Sequence, residues 1–232
     1  MTLIIAMKAR DSIIMASDGR VLMGNSNYRD NETKLFCLKN LMVGIFGYGE
    51  IGAFLLQHHW KELLDKSDSI DDCAELINKK FSKTYNTSLN GSAAGEKPIV
   101  GFILAGYRGG KAGPEQEIYS FRSKSNFSPE ISGNEPIFGG IAQYGWYISP
   151  KFYLPNISAA KAKFLSAYII KETSDRDFLV GGKINIFEII AGGPAKQIND
   201  TELATILMGI ELFNRDIIQL FNNLKISPMP QT

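Results

Sequence analysis

Two short apolar runs, Leu3–Met7 and Ile13–Ala16, flank the polar turn Arg10-Asp11-Ser12, and the same pattern recurs before any helical periodicity begins. Residues 3–8 and 12–17 read as paired strands, with Asp11-Ser12 supplying turn chemistry. The polar stretch 24–33, GNSNYRDNET, reads as a loop. Lys34–Leu38 and Leu41–Phe46 then form a second pair, turned at Lys39-Asn40. A tight hairpin can join only antiparallel strands, because a parallel pair needs a long crossover. A chain that opens on two hairpins is thereby committed to antiparallel sheet.

The period then changes. Ile51, Phe54, Leu55, His58 and Leu63 share one helical face, and a second helix opens at Ser69 and runs from about Ile70 to Tyr85. After a loop at 86–97, strands are expected at 98–107 and 117–122, joined by the Gly/Pro-punctuated link GGKAGPEQ. Short strands follow near Ser128–Ile131 and Pro136–Phe138. A helix is expected at about 157–174, strands at 183–191 and 195–198, and a last helix at about 200–224. This order lacks the strict strand–helix alternation of a parallel sheet. It predicts an α+β protein, antiparallel sheets with helices outside, in a single domain spanning 1–232 with 226–232 as a loose tail.

Composition removes several functions. A net charge of +1 and no Lys/Arg run give no electrostatic case for nucleic acid. No apolar run reaches the ~18 residues of a membrane span, and the start lacks a signal peptide's charged region, so the expectation is cytoplasmic. Cys37 and Cys73 lie in apolar-patterned segments and read as two reduced thiols rather than a disulfide framework. His58 and His59 are helix neighbours that point to different faces, which argues against a metal site. The aromatic cluster Tyr144-Gly145-Trp146-Tyr147 and the apolar stripe Leu203, Ile206, Leu207, Ile210, Phe213, Ile217 read as packing surface.

Chemistry concentrates at the start. Thr2 follows the initiator methionine directly, and a small second residue permits removal of Met1. The exposed α-amine, with an ordinary pKa of about 7.7–8.0, would then sit beside its own hydroxyl. A neutral amine can take the hydroxyl proton as Oγ attacks a carbonyl, so one residue supplies nucleophile and base. Taken alone, Met-Thr is an ordinary beginning. Other residues add to it. Asp18 ends the second strand, where the hairpin returns towards residue 2, and Lys34 opens the next strand. A lysine near the nucleophile would stabilise negative charge and depress the amine pKa, and an aspartate beside it would orient it.

These motifs resemble those of a known family. Thr2, Ser17-Asp18-Gly19-Arg20 and Lys34-Leu35-Phe36 are similar, in type and spacing, to the β-type subunits of the proteasome superfamily, the N-terminal-nucleophile hydrolases. The bacterial forms without a propeptide are the nearer match. The resemblance implies a four-layer αββα sandwich and a self-compartmentalising threonine endopeptidase that cleaves unfolded polypeptides inside homo-oligomeric rings, stacked or helical. An ATP-dependent unfoldase partner is compatible with it. The resemblance also implies that Gly44, in Met42-Val43-Gly44-Ile45-Phe46-Gly47, donates the oxyanion N–H, that Asp177 helps orient the amine, and that Val21, Glu32, Met42 and Phe46 form the substrate pocket. No cofactor or metal is called for. Two departures stand out: Val180 occupies the family's serine position before Gly181-Gly182, and Phe138-Gly139-Gly140 lacks the serine of a Gly-Ser-Gly turn. They leave a non-catalytic ring or scaffold subunit as the alternative. A weaker alternative is nucleotide binding, because Gly47, Gly49 and Gly52 fit G-x-G-x-x-G between a strand and a helix. A second helix after it, where a parallel strand should come, speaks against this.

Overall fold

The computed structural model describes residues 2–23, 27–89, 97–109 and 113–224. Met1, the tip of the first loop, most of 86–97, part of the GGKAGPEQ link and the 226–232 tail lie outside them. The chain divides into two compact units, Met1–Ile198 and Asn199–Thr232.

The first unit is built on two five-stranded sheets. Strands β1 (Leu3–Lys8) and β2 (Ser12–Ser17) pair antiparallel, Ile4 opposite Ser17 and Lys8 opposite Ile13. The turn between them is closed by Ala9 N–H donating to the Ser12 carbonyl at 2.8 Å. A small ribbon pairs β3 (Val21–Met23) with β4 (Asn27–Arg29), the second strand lying in the polar stretch that reads as a loop. The second sheet is a meander: β5 (Leu35–Leu38), β6 (Leu41–Gly47), β7 (Val100–Arg108), β8 (Glu115–Arg122) and β9 (Glu130–Ile131) in that order. Lys39, at φ 51°, makes the hairpin turn between β5 and β6. The first sheet is completed by β10 (Ile137–Gly140) beside β1, and by β11 (Asn185–Ile190) and β12 (Lys196–Gln197) beyond β2. All these pairings are antiparallel.

The first helical stretch is two helices, α1 (Gly49–His58) and α2 (Trp60–Lys66), parted at His59. The second is α3 (Ile70–Leu76), a π-helical turn at Ile77–Phe81, and α4 (Ser82–Ser88). Ser69 caps α3 by accepting from Asp72 N–H at 3.2 Å. Leu55, Leu63, Cys73 and Phe81 of these helices pack with Val43, Phe102 and Phe121 of the second sheet. The other face of that sheet, through Leu35, Met42, Phe46 and Ile103, meets Ile4, Ala6, Ile13 and Met15 of the first. Residues β1 and β2 are buried on both faces, so they read as continuous apolar runs. Two more helices follow β10: α5 (Gln143–Phe152), which sequence periodicity did not reveal, and α6 (Ala159–Ser174), capped by Ser158. Ser166 of α6 donates to Met7 Sδ of β1 at 3.7 Å.

The second unit carries one described helix, α7 (Asp200–Asn222), capped by Asn199 accepting from Glu202 N–H at 2.8 Å. Met208, Ile218 and Phe221 on it are exposed. Among the described residues, no helix is long and apolar enough to cross a membrane.

Candidate active site

The hairpin β1–β2 returns Asp18 to the start of the chain. Its carboxylate is fully buried and accepts four hydrogen bonds. Oδ1 takes Leu3 N–H at 2.9 Å and Lys34 Nζ at 2.7 Å. Oδ2 takes Arg20 N–H at 3.2 Å and Gly181 N–H at 3.1 Å. Asp18 thus ties the Thr2–Leu3 peptide to the lysine and to the loop before β11. Lys34 is 4% exposed and also donates to the Arg20 carbonyl at 2.6 Å. Burial pushes its pKa below the usual lysine value; Asp18 opposes that shift, and the nearby Arg20 charge adds to it.

Thr2 is 6% exposed. Its side chain lies on the Ile4/Ala6 face by strand alternation, the face turned to the second sheet. Its carbonyl accepts from Ile141 N–H at 2.8 Å. Gly140, at φ +86°, allows that approach, since a Cβ there would fall 1.7 Å from the Thr2 oxygen. Gly140 is therefore part of the clamp on Thr2, while Gly139 lies against the Phe46 ring; neither supplies the hydroxyl of a Gly-Ser-Gly turn.

Arg20 and Gly181 complete the frame. The Arg20 guanidinium grips Asp30 through Nε at 2.7 Å and Nη2 at 2.9 Å, and donates from Nη1 to the Phe178 carbonyl at 2.8 Å. It lies over the Tyr28 ring, 4.2 Å from the centroid. This pairing holds the Asp30 carboxyl below its usual pKa. Gly19 is closed in by the Asp30 and Lys183 carbonyls, at 2.6 and 2.7 Å from where a Cβ would sit. No local sequence pattern points to Asp30 or Gly181; the available signal is the Gly181-Gly182 doublet, in which Gly182 adopts φ +73°, a conformation that favours glycine.

The remaining residues divide. Asp177 is half-buried, and its Oδ1 accepts Leu179 N–H at 3.0 Å; it shapes the loop carrying Phe178 and Gly181. Val180 is fully buried. Gly44 lies on β6 inside the second sheet. Ile45 N–H donates to the Lys34 carbonyl at 3.0 Å and Tyr48 N–H to the Ile99 carbonyl at 2.9 Å. By the alternation of an antiparallel ladder, Gly44 N–H faces its partner Ile103 on β7. Met42 and Phe46, at 0% and 5% exposure, pack in the core between the sheets. Val21 and Glu32 are half-buried; Val21 pairs with Arg29, and Glu32 lies 3.7 Å from Arg29 Nη1 and donates its N–H to the Gly19 carbonyl.

The glycine motif has a packing explanation. A Cβ at Gly47 (φ +86°) would fall 2.2 Å from the Ile99 carbonyl oxygen, and one at Gly52 would fall 2.2 Å from Ile45 Cγ2. They serve a tight exit from β6 and close seating of α1. The antiparallel sheet around β6 lacks the parallel strand that a dinucleotide site needs. His59 is buried with Nδ1 3.2 Å from Glu62 Oε1 and Nε2 2.8 Å from Thr84 Oγ1. Both thiols are free, and burial pushes Cys73 up to about 12. Among the described residues no cluster of three metal-ligating side chains occurs.

No protein-family model matches the chain, and no curated protein matches it. Solved structures do. Anbu (ancestral beta-subunit) from Yersinia bercovieri shares 16% identity at a TM-score of 0.78, over 98% of this chain and all 100% of that one. An Anbu mutant from Hyphomicrobium sp. strain MC1 shares 14% at 0.76, over 99% and 100%. The α+β, antiparallel architecture is thus an Anbu/proteasome-like fold. These neighbours correct the resemblance drawn from the sequence motifs: the likeness is to Anbu proteins, and the assignment to bacterial propeptide-free β-type threonine hydrolases is withdrawn.

Proposed function

We propose that this chain hydrolyses peptide bonds through Thr2 once Met1 is removed. The observation that carries the reading is the buried Lys34, bound to Asp18 Oδ1 and the Arg20 carbonyl, with the same Asp18 oxygen holding the Thr2–Leu3 peptide. An ammonium has three donors. Two are engaged here, which leaves one for a threonine oxygen.

In this reading Thr2 Oγ attacks the substrate carbonyl and its proton passes to the Thr2 α-amine. The tetrahedral intermediate collapses as that proton moves to the leaving amine, giving an ester on Thr2. Water, deprotonated by the same amine, then cleaves the ester and restores the hydroxyl. The Lys34 charge favours the anionic stages, and Asp177 shapes the loop whose Gly181 orients Asp18. Unfolded polypeptide is the proposed substrate. Helices α1–α4 on one sheet, contact between the sheets, and Ser166 against Met7 support a four-layer αββα sandwich. Exposed Met208, Ile218 and Phe221 support association of copies into a ring.

A scaffold role is the second reading, favoured by Gly44 N–H facing the ladder and by buried Val180 at the expected serine position. Turnover of a panel of fluorogenic peptides separates the two. Hydrolysis by wild type that is lost in Thr2→Ala and partly kept in Thr2→Ser supports the first. Absence of turnover in protein shown by mass to begin at Thr2 supports the second.

A further inference from the structure

Helix α7 changes character along its length. Large apolar residues recur at three- and four-residue spacing from Leu203 through Ile210 to Ile217 and Leu220, the stripe of a helix that packs on another element. Ile210 is 2% exposed, yet Ile217, Ile218, Leu220 and Phe221 are all exposed, Phe221 at 74%. No charged residue occurs from Ile217 to Leu224. An exposed apolar surface of this kind marks an interaction site.

A matching hollow lies on the first unit. Ile51, Phe54 and Leu55 of α1 and Tyr85 of α4, with Leu89 just beyond it, line an open cavity of about 170 Å³. The Tyr85 hydroxyl already donates to the Pro98 carbonyl at 2.6 Å, so the walls offer mainly apolar surface. An apolar cavity of about 150 Å³ holds a benzene ring, and this one takes a single aromatic side chain. Glu50 stands at its rim. Arg215 lies less than two turns before Phe221. Both charges are exposed, and neither is paired among the described residues.

We propose that the end of α7 in one copy docks on the α1/α4 cavity of the next copy, with Phe221 seated in the cavity and Arg215 against Glu50. One chain thus carries both halves of a head-to-tail contact, the kind that closes a ring or runs on as a helical filament. The contact rests on the association of copies put forward above and is independent of the Thr2 chemistry.

Sedimentation velocity of the full chain over a range of concentrations tests it. Phe221→Ala should weaken self-association at least about tenfold, the scale of burying one large apolar side chain. Arg215→Glu should weaken it less, and adding Glu50→Arg to the same chain should restore it. Phe221→Asp and Phe54→Arg change exposed residues, and each should be monomeric with an unchanged circular dichroism spectrum. Mixed, they should form a 1:1 pair, because one brings an intact cavity and the other an intact helix end. A mixture that stays monomeric while wild type associates would overturn the head-to-tail contact. Association undiminished in Phe221→Asp or in Phe54→Arg would overturn it too, and would leave other faces to build a ring. A wild-type chain that is monomeric throughout would overturn the contact and the ring together.

Discussion

Two carboxylate–cation clusters in the first unit are built from similar parts and differ in burial. Arg108 grips Asp71 through Nε at 2.9 Å and Nη2 at 2.8 Å, and Tyr119 Oη donates to the same carboxylate at 2.6 Å. Arg108 and Asp71 side chains are 36% and 49% exposed. The Asp18–Lys34 pair has one direct contact, at 2.7 Å, with side chains 0% and 4% exposed. The better geometry is therefore at the surface, where water and salt screen it. The poorer geometry is buried, where removing both charges from water offsets much of their attraction. A buried pair of this kind is weak evidence for stability. What sets it apart from the Arg108 cluster is its hydrogen bond to the Thr2–Leu3 peptide, on which the proposed function rests.

The largest effect should come from breaking the buried pair. Lys34→Ala leaves the Asp18 charge uncompensated and should cost about 3–5 kcal/mol of unfolding free energy, measured by urea denaturation. The double variant Asp18→Asn/Lys34→Met should recover most of that loss and remain inactive on peptides. Full activity in the double variant would erase the distinction between the clusters.

An intermediate case is His59, buried like Lys34 and also pushed below its ordinary pKa. Burial pushes its pKa below the usual histidine value, with Glu62 opposing and the His58 and Lys80 charges assisting. The unfolded chain then binds a proton that the folded chain refuses, so stability falls as pH drops through about 6.5 towards the lower folded value. The slope contributed is at most about 1.4 kcal/mol per pH unit, and His59→Gln should flatten the stability profile in that window. An unchanged profile would show that burial does not govern this group.

The smallest effect should be at the surface. Asp71→Asn, which leaves Arg108 paired at 3.2 Å with the buried Glu117, should cost about 1 kcal/mol or less, shrinking further in about 1 M salt. A loss as large as that of Lys34→Ala would show that contact number, not burial, ranks the two clusters.

The sequence made local features legible and left spatial ones hidden. The hairpins were readable because Leu3–Met7 and Ile13–Ala16 are apolar runs around a turn. That Asp18 lies near residue 2 is legible because the hairpin returns residue 18 there; the grouping of Thr2 and Lys34 with it comes from the family resemblance. Helix α5 was hidden by Gly145 and Pro150, which weaken helical propensity. The direction of the Gly44 N–H is hidden for a different reason: it depends on which neighbour the strand faces, and that requires the register with β7. Met42 and Phe46 are apolar in either role, so only the stacking of the two sheets assigns them to the core. The Arg20–Asp30 grip and Gly181 donor depend on three loops meeting, which no local pattern encodes.

The central claim is that the buried Asp18–Lys34 pair serves a nucleophile at Thr2. A peptidyl epoxyketone tests it most directly, because its full reaction needs a hydroxyl and a free α-amine on one residue. Intact-mass measurement should show one adduct per chain on protein beginning at Thr2, and none on Thr2→Ala. An unmodified wild-type chain that begins at Thr2, or an adduct that persists in Thr2→Ala, would contradict the account.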